Sequence, residues 1–247
     1  MSRATELLRS AIPNYAITLP LSKDKIKYRP FLVKEEKILL LALEEDKEEA
    51  ILGAIKIMIE SCCENINDAG EIPLLDLEYL FLNIRAKSIG DVVTPVINDP
   101  ETGERIKVEI DLHKIKPKIK KDFSNKIKIN EDVGVLLKPP TLNMTYEMQK
   151  NPEMYYHDNT GNLTINGLMH VLKSCIIEIY TKEDSISTGD MTDEEILDFL
   201  EVLTPEQFSN INEYFDSIPE LSTTVNYTLS DGTEKTFVIK GIENFFA

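Results

Sequence analysis

At 247 residues, with 43 acidic against 27 basic side chains and a formal net charge of −16, the chain is strongly acidic, which excludes a general nucleic-acid binder because phosphate neutralisation needs a basic face. Hydrophobic residues make up 42% of the chain, enough to build a core and to exclude wholesale disorder. The longest apolar run, around Ile38 to Leu43, falls far short of the roughly 18 residues that cross a bilayer, and no secretory signal is expected at the N-terminus.

In chain order, a short N-terminal segment ends at Pro13, and residues 15–32 read as extended. Tyr15, Ile17 and Leu19 alternate with their neighbours, and Ile26, Tyr28 and Pro30 follow a polar turn at residues 22–25. From Val33 the period becomes helical: Val33, Glu36, Lys37, Leu40, Leu41 and Glu44 mix with Ile38 and Leu39 in a helix apolar on more than one side, which predicts burial. A charged break at residues 44–49 precedes a second helix with Ile51, Ala54, Ile55, Met58, Ile59 and Cys62 in one stripe. Beyond Pro73 a third helix is predicted, with Asp76 as its N-cap, Leu77, Leu80, Phe81, Ile84 and Arg85 along it, and Gly90 as its stop. Alternation of Val92, Thr94 and Val96, then Ile106, Val108 and Ile110, around the turn DPETG predicts a β-hairpin.

Residues 113–165 carry the weakest periodicity. They hold the lysine-rich strip of Lys114, Lys116, Lys118, Lys120, Lys121, Lys126 and Lys128, a Pro139-Pro140 break, a short predicted helix at 141–149 and a polar turn at 158–162. The strip reads either as a solvated face or as a docking site for an acidic partner, including other copies of this acidic chain. Helical spacing returns at Ile165, with Leu168, Met169, Leu172, Ile176 and Ile179 on one face. Thr192 with Glu195, and Thr204 with Gln207, form two capping boxes, and Pro205 occupies the first helical position of the second. Val225, Tyr227 and Leu229, the turn Ser230-Asp231-Gly232, and a return strand through Phe237 and Ile239 predict a second hairpin. The expected fold class is α+β, predominantly helical, with β-hairpins at about 92–112 and 223–240. The expected organisation is a helical region 1–115 ending in a hairpin, a lysine-rich connector 116–164, and a helical region 165–247 ending in a hairpin. Helices run into a hairpin twice, at 76–112 and 193–246, a pattern that an internal duplication would leave.

Catalytic chemistry has little support. Nucleophilic catalysis needs a base beside the nucleophile, yet Cys175 lies five residues after His170, whereas helix neighbours meet at three or four. His113 and His157 complete the histidines, and no glycine-rich phosphate loop is present. Carboxylates are abundant, and several are already explained as helix-cap residues. Cys62, Cys63 and Cys175 lack CxxC spacing, so buried thiols in a reducing compartment are expected, with no catalytic residue, cofactor or metal site.

Tyr28-Arg-Pro-Phe31 running into Glu35-Glu36-Lys37, Asp76-Leu-Glu-Tyr-Leu-Phe81 and Arg85-Ala-Lys-Ser-Ile-Gly90 stand in fixed order, followed by Val108-Glu-Ile-Asp-Leu112, Lys114-Ile115 and the closing Gly241-Ile-Glu-Asn-Phe-Phe246. These pieces resemble the baseplate protein family of T4-like bacteriophages, which includes the baseplate hub subunit and a related hub-assembly protein. The resemblance is densest from 28 to 115 and at the last few residues, and thin through 120–165. It implies a non-enzymatic hub subunit, made in the host cytoplasm, located in the virion tail baseplate and partnered by other baseplate or hub proteins. Self-association is compatible with it, and neither nucleic acid nor membrane is implied as a partner. A chaperone-like hub assembly factor absent from the mature virion is the alternative, and a cytoplasmic enzyme is a further one. Members of that family can carry cysteine pairs on such hairpins; here the turns read NDPETGE and LSDGTE, so no zinc is expected. The candidate partner-binding residues are Arg29 and Phe31 at a strand-to-helix junction, Arg85 and Lys87 at a helix C-terminus, and Lys118, Lys120 and Lys121 in the strip. For Arg29, Phe31, Arg85 and Lys87 the competing role is intramolecular pairing and capping.

Overall fold

The computed structural model describes residues 3–45, 47–157 and 162–240, and it opens with an amphipathic helix, α1 (Arg3–Ser10). Strands β1 (Tyr15–Thr18) and β2 (Lys25–Tyr28) then form an antiparallel hairpin with Tyr15 opposite Tyr28. Helices α2 (Val33–Glu45) and α3 (Glu48–Cys62) pack on each other, and α4 (Leu74–Ser88) packs on α3. Leu77, Leu80, Phe81 and Ile84 of α4 are wholly buried, as are Ile55 and Ile59 of α3, so α4 is apolar around most of its circumference because it lies in the interior. Asp76 does not cap this helix. The helix starts earlier, after Pro73, and Asp76 in its first turn accepts hydrogen bonds from the backbone N–H of Leu21 (2.7 Å) and Ser22 (2.8 Å). A tertiary partner more than fifty residues away takes the carboxylate that local spacing assigns to the cap. Gly90, at φ 140°, ends the segment in a conformation that disfavours any side chain.

The first predicted hairpin is present in two ladders. Strand β3 (Val92–Val93) pairs with β6 (Ile110–Asp111), and β4 (Val96–Asn98) pairs with β5 (Arg105–Lys107). Pro95, which has no N–H to donate, lies at the break between them.

Chain contacts divide the protein into two units, one comprising the chain up to residue 118 together with the chain from 220 onward, the other residues 119–219. In the second unit, β7 (Lys126–Lys128), β8 (Gly134–Leu137), β9 (Ile176–Tyr180) and β10 (Ser185–Ser187) form an antiparallel sheet in the order β10-β9-β8-β7. Between β8 and β9 run α5 (Leu142–Lys150), α6 (Pro152–Tyr155) and α7 (Ile165–Cys175); α8 (Asp193–Glu201) and α9 (Pro205–Ser217) follow the sheet. Val135, Leu137, Leu172, Ile176, Ile196 and Ile211 form its core. Helical spacing extends the helix at 165 through Ile179, but α7 stops at Cys175 and residues 176–180 are a strand. The β-branched Ile176, Ile177 and Ile179 and the aromatic Tyr180 favour the pleated surface, and so short a segment satisfies either periodicity. Both capping boxes form as spaced: Thr192 with Glu195 and Thr204 with Gln207 exchange side-chain and backbone hydrogen bonds.

Strands β11 (Ser222–Thr228) and β12 (Glu234–Lys240) make the second hairpin, with Val225 opposite Phe237, and belong to the first unit. The fold is α+β, with helices and small antiparallel strand sets. The units are drawn differently from the sequence expectation. Most of the expected connector supplies β7, β8, α5 and α6 to a packed unit, and the last hairpin leaves the helices that precede it in sequence. The expected turn at Asp158–Asn162 lies largely, and the closing motif at Gly241–Phe246 wholly, outside the described residues.

Candidate docking surface

The motif residues that carry the resemblance form a clamp inside the first unit. Arg29 donates through Nη2 to Glu35 Oε1 (2.9 Å) and to the carbonyl of Ser61 (2.9 Å), and through Nη1 to the carbonyl of Pro30. Glu35 Oε2 accepts from the backbone N–H of Leu32 at 2.8 Å, which places the carboxylate at the start of α2 as the returning half of a capping box. Lys34 reaches the same carboxylate at 3.0 Å. Phe31 is buried, and its N–H donates to Ser88 Oγ at the end of α4. Arg85 is buried in α4, where desolvation lowers its guanidinium pKa. Lys87 is half-buried, with its ammonium 5.7 Å from the centre of the Tyr15 ring. The clamp thus brings Arg29 and Phe31 to the ends of α3 and α4. Lys118, in the first unit, and Lys120 and Lys121, in the second, are exposed.

A second lock joins the turns of the two hairpins, a contact that local sequence patterns do not show. Asp99, buried in the turn after β4, accepts from Tyr227 Oη at 2.5 Å, from Lys235 Nζ at 3.1 Å and from the N–H of Thr102 at 2.8 Å. Glu104 accepts from Ser230 N–H and Oγ in the opposite turn. The hydrogen bond from Tyr227, with those from Thr102 and Lys235, outweighs desolvation and holds the Asp99 carboxyl well below the usual range. A depressed carboxylate contributes stability that is present above its unfolded pKa and lost as pH falls through the folded one. Tyr227→Phe is therefore expected to speed amide exchange in residues 99–104 and 222–240 at neutral pH. That difference shrinks once Asp99 is protonated in strong acid; unchanged exchange at neutral pH refutes the lock.

The three thiols are held protonated by burial, and two of the histidines are engaged by neighbours. Burial pushes the Cys62 thiol up to about 11 and those of Cys63 and Cys175 up to about 12, so none is a thiolate nucleophile at neutral pH. His113 Nε2 lies 2.8 Å from Asp91, and His170 meets the Tyr155 ring edge-on. Among the described residues no group of histidines, cysteines and carboxylates is arranged to hold a metal ion. A cleft of about 410 Å³ in the first unit is lined by Asp24, Asp68, Glu71 and Pro73, and Asp68 is engaged by Lys56 at 2.7 Å. Another, of about 320 Å³, lies in the second unit between Met154, Met169, His170 and Glu201.

The surface that the sequence reading missed is the outer face of α2. That helix is not buried all round: Glu35, Leu39 and Ala42 face inward, while Ile38, Leu40 and Leu41 are exposed. A helix with leucines on every side carries more apolar surface than the neighbour it packs on covers, and that excess is the sequence signal for a partner.

A family model described as T4 bacteriophage base plate protein matches residues 12–247. No curated protein and no solved structure matches the chain.

Proposed function

The chain belongs to the T4 bacteriophage base plate protein family, and from that premise we propose that it is a non-enzymatic structural subunit of the tail baseplate hub, acting by packing against other baseplate proteins. The observation that supports this reading most directly is the apolar outer face of α2, with Ile38, Leu40 and Leu41 open to solvent on a well-packed unit. Such a face is the usual mark of a protein interface. In this reading the chain is made in the host cytoplasm and resides in the virion. The exposed Lys118, Lys120 and Lys121 contribute charged contacts to acidic neighbours, whereas Arg29, Phe31 and Arg85 hold the fold that presents the surface.

The test is quantitative mass spectrometry of purified phage particles beside infected-cell lysate. Stoichiometric presence in particles is the expected result. Abundance in lysate with absence from particles overturns the structural reading in favour of a transient hub-assembly factor.

A further inference from the structure

We propose that two copies of this chain form a twofold dimer in which α1 of each copy packs on the outer face of α2 of the other. Both helices present leucines to solvent: Leu7 and Leu8 of α1 are 65% and 74% exposed, and Leu40 and Leu41 of α2 are 53% and 51% exposed. An isolated eight-residue helix is too short to be stable in water without a surface to pack on. Its length, about 12 Å at 1.5 Å per residue, matches that of α2 from Ile38 to Glu45, also eight residues, whose outer side carries the exposed Ile38, Leu40 and Leu41.

Charge selects the pairing. Leu7 and Leu8 are accompanied by the exposed cations Arg3 and Arg9, whereas Leu40 and Leu41, one turn after the exposed Lys37, run into the exposed carboxylates Glu44 and Glu45 at the end of α2. Among the described residues none of Arg3, Arg9, Glu44 and Glu45 has an ion-pair partner. Packing α1 on α2 covers the exposed leucines of both helices and sets Arg9, in the last turn of α1, against Glu44 and Glu45 at the end of α2, which α1 on α1 or α2 on α2 does not. Within one chain the two faces leave each other uncovered, so the complement comes from a second copy. A twofold axis makes every such contact twice. The dimer stands independently of whether the chain stays in the finished particle.

The test is sedimentation velocity of the full chain over a concentration series, with two charge reversals, Arg9→Glu and the double variant Glu44→Arg/Glu45→Arg. Each variant alone sets like charges against each other at both contacts and is expected to weaken the dimer about tenfold or more. Mixed in equal amounts, they form a heterodimer in which one contact carries reversed charges and the other the original ones, and association returns to the wild-type level. All three positions are exposed, and far-UV circular dichroism checks that the fold is kept. A wild-type chain that stays monomeric overturns the proposal, and so do variants that dimerise as tightly as wild type or a mixture that regains nothing.

Discussion

Replacing Glu35 with alanine is expected to lower the stability of the first unit by about 3 kcal/mol, the low end of the range for stripping one partner from a buried ion pair. In thermal unfolding this corresponds to a midpoint roughly 6–12 °C lower. Glu35 is 1% exposed, and its two carboxylate oxygens serve Arg29, Lys34 and the backbone N–H of Leu32. The low end applies because the side chain of Arg29 keeps 19% of its surface in water and retains the carbonyls of Pro30 and Ser61. Glu35→Gln keeps an acceptor for Leu32 and loses the charge, so its effect is expected to be about half as large. Burial alone raises this carboxyl, but the hydrogen bonds from Arg29, Leu32 and Lys34 outweigh it, and the folded group titrates below its ordinary value. The stabilisation is therefore complete above the ordinary glutamate value and disappears as pH falls through the folded one. Melting curves at neutral pH and in acid check both points: the gap between wild type and Glu35→Ala closes in acid, and an unchanged midpoint at neutral pH refutes the clamp.

Gly167→Ala is expected to destabilise the second unit by about 2 kcal/mol, against the direction that helix propensity gives. Alanine gains about 1 kcal/mol over glycine inside a helix. A methyl group at this position, however, would sit 2.5 Å from the carbonyl oxygen and 2.6 Å from the Cα of Tyr155, and backbone cannot swing aside. Overpacking of this kind costs up to about 3 kcal/mol, so the clash wins. The close approach is built by Thr164, which caps α7 by accepting from Gly167 N–H at 2.9 Å and donates to the carbonyl of Met154 at 2.8 Å. Gly134 differs: a methyl there would meet the ring end of Tyr180, a side chain that can move. Parting α6 from α7 also loosens the cluster of Tyr155, Val171 and Cys175. The Cys175 thiol, 1% exposed in the native packing, is then expected to react faster with a thiol reagent. A variant more stable than wild type, or one with unchanged Cys175 reactivity, refutes the contact.

These two cases show how much of the candidate surface was legible beforehand. Arg29, Phe31 and the pair Arg85 and Lys87 stand out in the sequence by their motif, and the structure buries Phe31 and Arg85 and leaves Arg29 half-buried in the clamp of the first unit. The sequence carries their proximity in chain order but not which carbonyls and hydroxyls they meet. The outer face of α2 was visible only as an excess of leucine. Whether that excess is buried or exposed depends on how many neighbours the helix has, and periodicity holds no such count. The strand at 176–180 was hidden because Ile176 and Ile179, three residues apart, fit the helix face that precedes them as well as a short pleat.

What the sequence determined by itself is what neighbouring residues decide together: the apolar stripe of α3, the capping boxes at Thr192 and Thr204, and both hairpins with their turns. Each rests on contacts a few residues apart, where 3.6- or 2-residue spacing is enough. Only the tertiary structure decided that Asp76 serves the turn before β2, that residues 126–137 belong to a sheet with 176–187, and that Tyr227 closes on Asp99 across 128 residues of chain. A buried carboxylate takes whichever donors the packing brings to it, and those donors are chosen by the fold of distant segments, which no local periodicity records.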